Sequence, residues 1–391
     1  MVSLKLLFGL GATMAGVIYW SFLLMKNSGN LLPRTEHTDP TIAFLKKISL
    51  EVETSRLFWN KQLMKQQHIF INLTVKHIGL EDIPEQLEPG IELEGVFLIG
   101  ESGSDSLSNG TEKKICKILR ALKGVPVKIL SIKNCNNEEQ TFSIPCERTP
   151  LSISTIVSLE CISPAFLEWF GAALDFGKCL PGLDLEIFDC GIESVKCLNG
   201  LGFKSLSTLC LRKMEKLKSL DCPALIEACN NNLLTLWSLS NPLEIPETVA
   251  LAIAEKKWKE INIDLMIWNT ICQMVKREIS VSKELFLNVT SLKELGADAS
   301  QWKTGDIGAK SVEIYDSTEE TLLRKEFVEL AMQWVYENVE TVVKVHILPL
   351  LIHKQTDPEL EIKRLEDILP EIASLPNLVV LKINQRVRVS S

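Results

Sequence analysis

From residue 68 to the C-terminus one short pattern keeps returning: an apolar residue, a residue of any kind, and a second apolar residue, set in a run that alternates apolar with polar. Such alternation puts successive side chains on opposite faces of an extended chain, so it marks a strand with one buried face. Residues 69–75, 129–132, 183–187, 285–287, 312–314, 343–347 and 380–383 show it. In a common register the runs start near residues 68, 93, 127, 154, 182, 206, 233, 258, 282, 309, 342 and 378. The mean spacing is about 28 residues, room for one strand and one return segment per unit. Only Ser238 breaks the apolar pair in that register.

The segments between the runs carry helix signals. Ser163 and Pro164 precede 165–170 as an N-cap with proline at the first helical position, and Pro246 opens 247–257. Residues 113–123 stop at Gly124, a C-cap signal, and 318–339 and 359–374 are the longest helical stretches. Strands alternating with helices predict an α/β chain with parallel strands.

Three stretches carry a family likeness. Leu185, Ile187, Cys190 and Ile192 follow Gly182 in the order LxIxxCxI, and Leu206, Leu209 and Leu211 read similarly, as does the closing stretch 369–383. With the period inside the family's range, the chain resembles the leucine-rich-repeat superfamily over residues 68–388. The resemblance implies an irregular solenoid: a curved parallel sheet, helices on the convex side, and a concave sheet face that commonly binds other proteins. The family's Asn/Cys turn position is filled here by Cys135, Cys190 and Asn241, and elsewhere by residues such as Lys76, Met214 or Leu350, so the repeats are degenerate. A doubly wound pair of α/β domains is the competing architecture, since it too alternates strands with helices.

Residues 6–25, between Lys5 and Lys26, hold no formal charge. As a helix they would span roughly 30 Å, the thickness of a bilayer core. Residues 1–26 are therefore expected to be a signal anchor, with a cleaved signal peptide as the alternative, which directs the chain to the membrane or the secretory route. Lys5 on one side and Lys26 and Arg34 on the other leave the orientation open. Residues 27–67 are expected to form an N-terminal helical cap, with Ile42, Leu45, Ile48 and Val52 on one face covering the end of the solenoid at 68–391. Asn72, Asn109 and Asn288 head glycosylation sequons compatible with that route.

Fifty Asp and Glu against 42 Lys and Arg give a net charge of −8, which argues against a nucleic-acid partner. Of the 11 Cys none forms a CxxC pair, and most read as small buried hydrophobes; no metal site or cofactor is expected.

Catalytic spacing is absent. The Gly/Ser loop at 100–111 follows a strand and precedes a helix, the order that cradles phosphates, yet it has no Gly-Lys-Ser/Thr ending and misses GxSxG by one residue. On the concave face the residues between and just after each apolar pair point outward. They include Glu186, Phe188, Arg212, Trp237, Asn262, Asp264, Phe286, Glu313, Tyr315 and His346. Four aromatics beside an arginine have the composition of a protein-binding hot spot. A one-residue slip would instead send Trp237 and Phe286 into the core. The expected function is a non-enzymatic protein-binding scaffold, with two alternatives: an α/β enzyme or nucleotide binder using the 100–111 loop, and a cytosolic adaptor in which the thiols stay reduced.

Overall fold

The computed structural model describes residues 40–41, 44–45, 70–75, 78–88, 90–100, 111–135, 142, 147–239, 242–275, 279–296, 309–317, 325–339, 344–349 and 380–383. The leader at 1–26, most of the expected cap, loop residues 101–110 and the helix expected at 359–374 lie outside the described residues. Among the described residues no helix is long and apolar enough to cross a membrane.

The strands are β1 (Phe70–Thr74), β2 (Leu93–Ile99), β3 (Pro126–Cys135), β4 (Thr149–Pro150), β5 (Ser152–Ile162), β6 (Leu174–Asp175) and β7 (Leu183–Phe188). They continue with β8 (Leu206–Met214), β9 (Cys229–Leu239), β10 (Lys257–Asp264), β11 (Ser280–Val289), β12 (Ser311–Asp316), β13 (Lys344–Pro349) and β14 (Val380–Ile383). Apart from the small β4–β6 pair, they form one 12-stranded sheet in which each strand lies beside its neighbours in sequence. Every pairing is parallel. The chain is thus α/β with a large parallel sheet, and its strand order never reverses as a doubly wound sheet requires.

The return segments are α1 (Thr111–Ala121), α2 (Pro164–Ala173), a 3-10 helix (Lys196–Leu201), α3 (Pro223–Ala228), α4 (Glu247–Ala254), α5 (Leu265–Val275), α6 (Leu292–Gly296) and α7 (Lys325–Asn338). Ser163 caps α2 by accepting from Phe166 N at 3.3 Å. Gly124, three residues past α1, has φ +78°, which a side chain would resist. The helix opened by Pro246 stops at Ala254, earlier than the expected 257, because β10 begins at Lys257. The buried Trp258 in β10 donates Nε1–H to Ile253 O at 2.8 Å and fixes that turn.

Parallel register stacks the two apolar positions of each unit into continuous rails. One runs from Ile71 and Val96 through Leu209 and Leu234 to Val312 and Val345; the other parallels it through Leu98, Leu211, Leu236 and Ile314. These side chains are 0–1% exposed and merge with the apolar helix faces into one core. Burial of this kind is the main force favouring the fold, since a lone strand–helix unit has nothing to cover its apolar flank. Phe44 and Leu45, in helical segments before the sheet, join that core, and Thr41 Oγ1 accepts from Glu88 N at 3.0 Å.

Each apolar pair lies where the sequence register placed it, except in β9. There Leu234 and Leu236 fill the rails, two residues before the expected pair, so Ser238 is not one of the pair, and Asn241 lies outside the described residues. The cause is a bulge: Leu206 pairs with Cys229 but Thr208 pairs with Leu233, so β9 carries two extra residues, with Asn231 at φ +58°. A shift of two keeps Trp237 on its expected face.

Strand ends also repeat. Asn134, Cys161, Asp189, Lys213 and Ser238, in successive units, take φ between 52° and 58°. This left-handed residue turns the chain off the sheet, and the next side chain swings back inward: Cys135, Ile162, Cys190 and Met214 are all buried. The Cys190 thiol donates to Phe188 O at 3.4 Å and the Cys135 thiol to Lys133 O at 3.8 Å, across the turn. Gly100 sits where β3's turn comes close; a Cβ there would stand 2.2 Å from Asn134 O. The first glycine of the Gly/Ser loop thus answers a packing requirement.

Candidate functional site

Residues that alternate with the rails form the sheet's other face, and register sorts them into three rows crossing the strands. One row runs Phe188, Arg212, Trp237 and continues through Asp264, Asn288 and Tyr315. The next includes Glu186, Asn262, Phe286, Glu313 and His346. Every face residue expected from the sequence lies in one of these two rows. The third row, which the sequence reading did not count, brings Asp184, Glu260, Glu284, Ser311 and Lys344. Period-two alternation read one step further back from each apolar pair would have found it.

The expected residues differ in what they offer. Arg212 is exposed, and Glu186, Phe188, Trp237 and Phe286 are half-buried. Tyr315 and Asp264 are only 5% and 6% exposed, so they brace the face from beneath instead of presenting it. Trp237 meets the Tyr315 ring edge-on at 5.4 Å, and Phe286 stacks against the same ring at 6.2 Å. Below them the Asp264 carboxylate accepts Ser238 N and Leu239 N, each at 3.0 Å, and the Asn288 side-chain amide at 2.6 Å. The aspartate thereby satisfies the backbone amides of the positive-φ turn that ends β9.

Farther along, Glu313 is held twice: its Oε2 accepts from Tyr315 Oη at 2.9 Å, and its Oε1 lies 3.1 Å from His346 Nδ1. Burial pushes the Glu313 carboxyl above the usual range, with the Tyr315 hydroxyl opposing. Burial likewise raises Glu260, helped by the nearby Glu284, and raises Asp264 against the pull of its three hydrogen bonds. Glu186 rises by burial and by Asp184, with Arg212 and Lys133 working the other way. Water is thus partly excluded around these carboxylates, and charge there acts over longer range than on an open surface.

The sequons fare differently. Asn288 is 0% exposed; its amide donates to Asp264 and its Oδ1 accepts from the Ser317 hydroxyl, which leaves no room for a glycan in the folded chain. Asn72 pairs in register with Phe97, while its side chain and the whole of Asn109 lie outside the described residues. Cys161, Cys179, Cys190, Cys197, Cys210, Cys222, Cys229 and Cys272 carry free thiols, half of them buried, and Cys146 lies outside the described residues. Among the described residues no group of three His, Cys, Asp or Glu is placed to hold a metal ion.

In comparison with known proteins the chain matches no family model, no curated protein and no solved structure.

Proposed function

We propose that the chain is a degenerate leucine-rich-repeat solenoid that works as a non-enzymatic scaffold, docking another protein on the open face of its sheet. Support for the repeat assignment comes from the paired aliphatic rails, the recurring left-handed residue at the strand ends, and the cysteines that close the turns at 135 and 190. The observation that carries the docking reading is the contiguous row Phe188–Arg212–Trp237, with Glu186 and Phe286 in the row beside it. Aromatic and arginine side chains held half-exposed on a rigid sheet lose little entropy on binding, which is what a hot spot needs. The uncharged run at residues 6–25 supports a setting for this face at a membrane surface or in the secretory route.

A capture experiment tests the reading. The full-length chain in mild detergent, immobilised against an extract of its own cells, should retain a stoichiometric protein. The double variant Phe188→Ala/Phe286→Ala should lose it, and Met274→Ala, on the exposed side of α5, should keep it. Equal retention by all three removes the face from consideration.

A second reading is favoured by the eight free thiols between Cys161 and Cys272: an adaptor working in a reducing compartment. Glycosidase treatment and non-reducing electrophoresis of the native protein separate the two.

A further inference from the structure

The open face between β9 and β12 is rich in acceptors and poor in donors. Glu260 and Glu284 are register partners, and Glu284 pairs in turn with Ser311. Ser311 Oγ, on a residue 6% exposed, has no hydrogen-bond partner among the described residues, and neither does Asn262 Oδ1 two positions along from Glu260. The amide nitrogen of Asn262 is already committed, to Thr235 Oγ1 at 3.2 Å and to the Glu260 carboxylate. A buried polar oxygen without a partner is costly, and two of them beside two carboxylates are asking for one kind of visitor: a cation that only donates. Phe286, whose half-exposed ring packs on Tyr315, is the next residue of this face along β11 from Glu284. The cations around these carboxylates are Lys283, 3.5 Å from Glu284, Lys259, which with Lys283 acts on Glu260, and Lys344, which follows Ser311 in its row; His346 is engaged with Glu313.

We propose that this patch receives the guanidinium of an arginine in an extended segment of the partner protein. The assignment rests on the docking reading above and names the chemistry of what docks. A guanidinium presents five N–H donors in one plane and no acceptor, so it can satisfy Glu260, Glu284, Asn262 Oδ1 and Ser311 Oγ together. Its flat face then lies against the Phe286 ring. A lysine ammonium has three donors and no flat face, and fits less of the site. A neutral ureido group keeps the shape and loses the charge.

The test titrates the full-length chain in detergent with three nine-residue peptides, alike but for arginine, lysine or citrulline at the centre, followed by saturation-transfer NMR. The arginine peptide should bind about tenfold more tightly than the citrulline peptide, the difference expected for charge-assisted hydrogen bonds, with lysine between. Glu260→Gln/Glu284→Gln, which keeps shape and should not lower the thermal midpoint, should weaken the arginine peptide by about tenfold. Met274→Ala should leave it unchanged. Equal binding of arginine and citrulline, or no binding of either, overturns the assignment, and so does full retention by the double glutamine variant. Loss of arginine preference while the captured partner still depends on Phe188 and Phe286 would remove this inference alone. Arginine preference without any face-dependent partner would remove the docking reading alone.

Discussion

Trp237 and Tyr315 stand three strands apart in the sheet, yet their rings meet edge to face with centroids 5.4 Å apart. Three strand spacings amount to about 14 Å, so both side chains lean inward over Asp264 and Asn288 between them. That lean buries the aspartate and its amide partner and turns four residues from four strands into one braced patch.

Removing either layer of that brace should be costly. Asp264→Ala leaves Ser238 N, Leu239 N and the Asn288 amide without their acceptor, and an unfolding loss of about 2–4 kcal/mol is expected. Trp237→Ala opens the roof and should cost about 2–3 kcal/mol. Denaturant titration of the variants measures both, and hydrogen exchange at Ser238 and Leu239 should quicken in each.

Acidity should stabilise the face. The carboxyls of Glu260, Asp264 and Glu313 sit above their ordinary range in the folded chain because burial disfavours their charge. Below the unfolded value of about 4 both states hold the proton, and the full benefit is present. As pH rises through the raised folded values, the folded chain must bury charges that the unfolded chain already carries in water, so stability falls. The thermal midpoint should therefore climb as pH is lowered from 7.5 toward that window, by about 2 °C for each kcal/mol gained. Glu313→Gln should flatten the climb, and a midpoint that falls monotonically over the same range would contradict the burial assigned to these groups.

At Asn288 the expectation is an empty sequon. Its Nδ2 is buried against Asp264, so peptide mapping of the mature protein should find Asn288 unmodified, whatever occurs at Asn72 and Asn109. A glycan recovered there in quantity from soluble, folded chain would mean that β11 does not lie as described.

The thiols should be slow to react. Burial pushes Cys190, Cys210, Cys229 and Cys272 up to about 12, and Cys161, beside Asp189, to about 11. Nucleophilicity follows the thiolate fraction, so iodoacetamide at pH 8 should alkylate even Cys161 roughly a hundredfold more slowly than an unfolded cysteine. Mass spectrometry of a timed series with and without denaturant reads this directly.

Much of this architecture is legible in the residues. Apolar pairs at a steady spacing gave every strand of the sheet, because burial of one face imposes period two on a strand whatever its neighbours do. The pair in β9 was misplaced by two, since the bulge at Asn231 depends on a backbone angle that no side-chain pattern announces. The face was legible as a set of positions and not as a surface. Alternation puts Tyr315 and Asp264 on it, but only the reach of Trp237 across three strands decides that they are covered. Ser311 and Glu284 carried no motif; register with β12 is what sets the hydroxyl beside the carboxylate. At the start of loop 100–111 two readings share one residue: Gly100 is required by the approach of Asn134 O, and a phosphate-cradling loop would call for glycine there as well.

The docking claim is tested most directly by site-specific photo-crosslinking in living cells, with benzoylphenylalanine placed at 286 on the open face and, separately, at 274 on α5. The account predicts one discrete adduct from position 286, abolished by Trp237→Ala, and none from position 274. Adducts from 274 alone, or the same adduct from both, would contradict it.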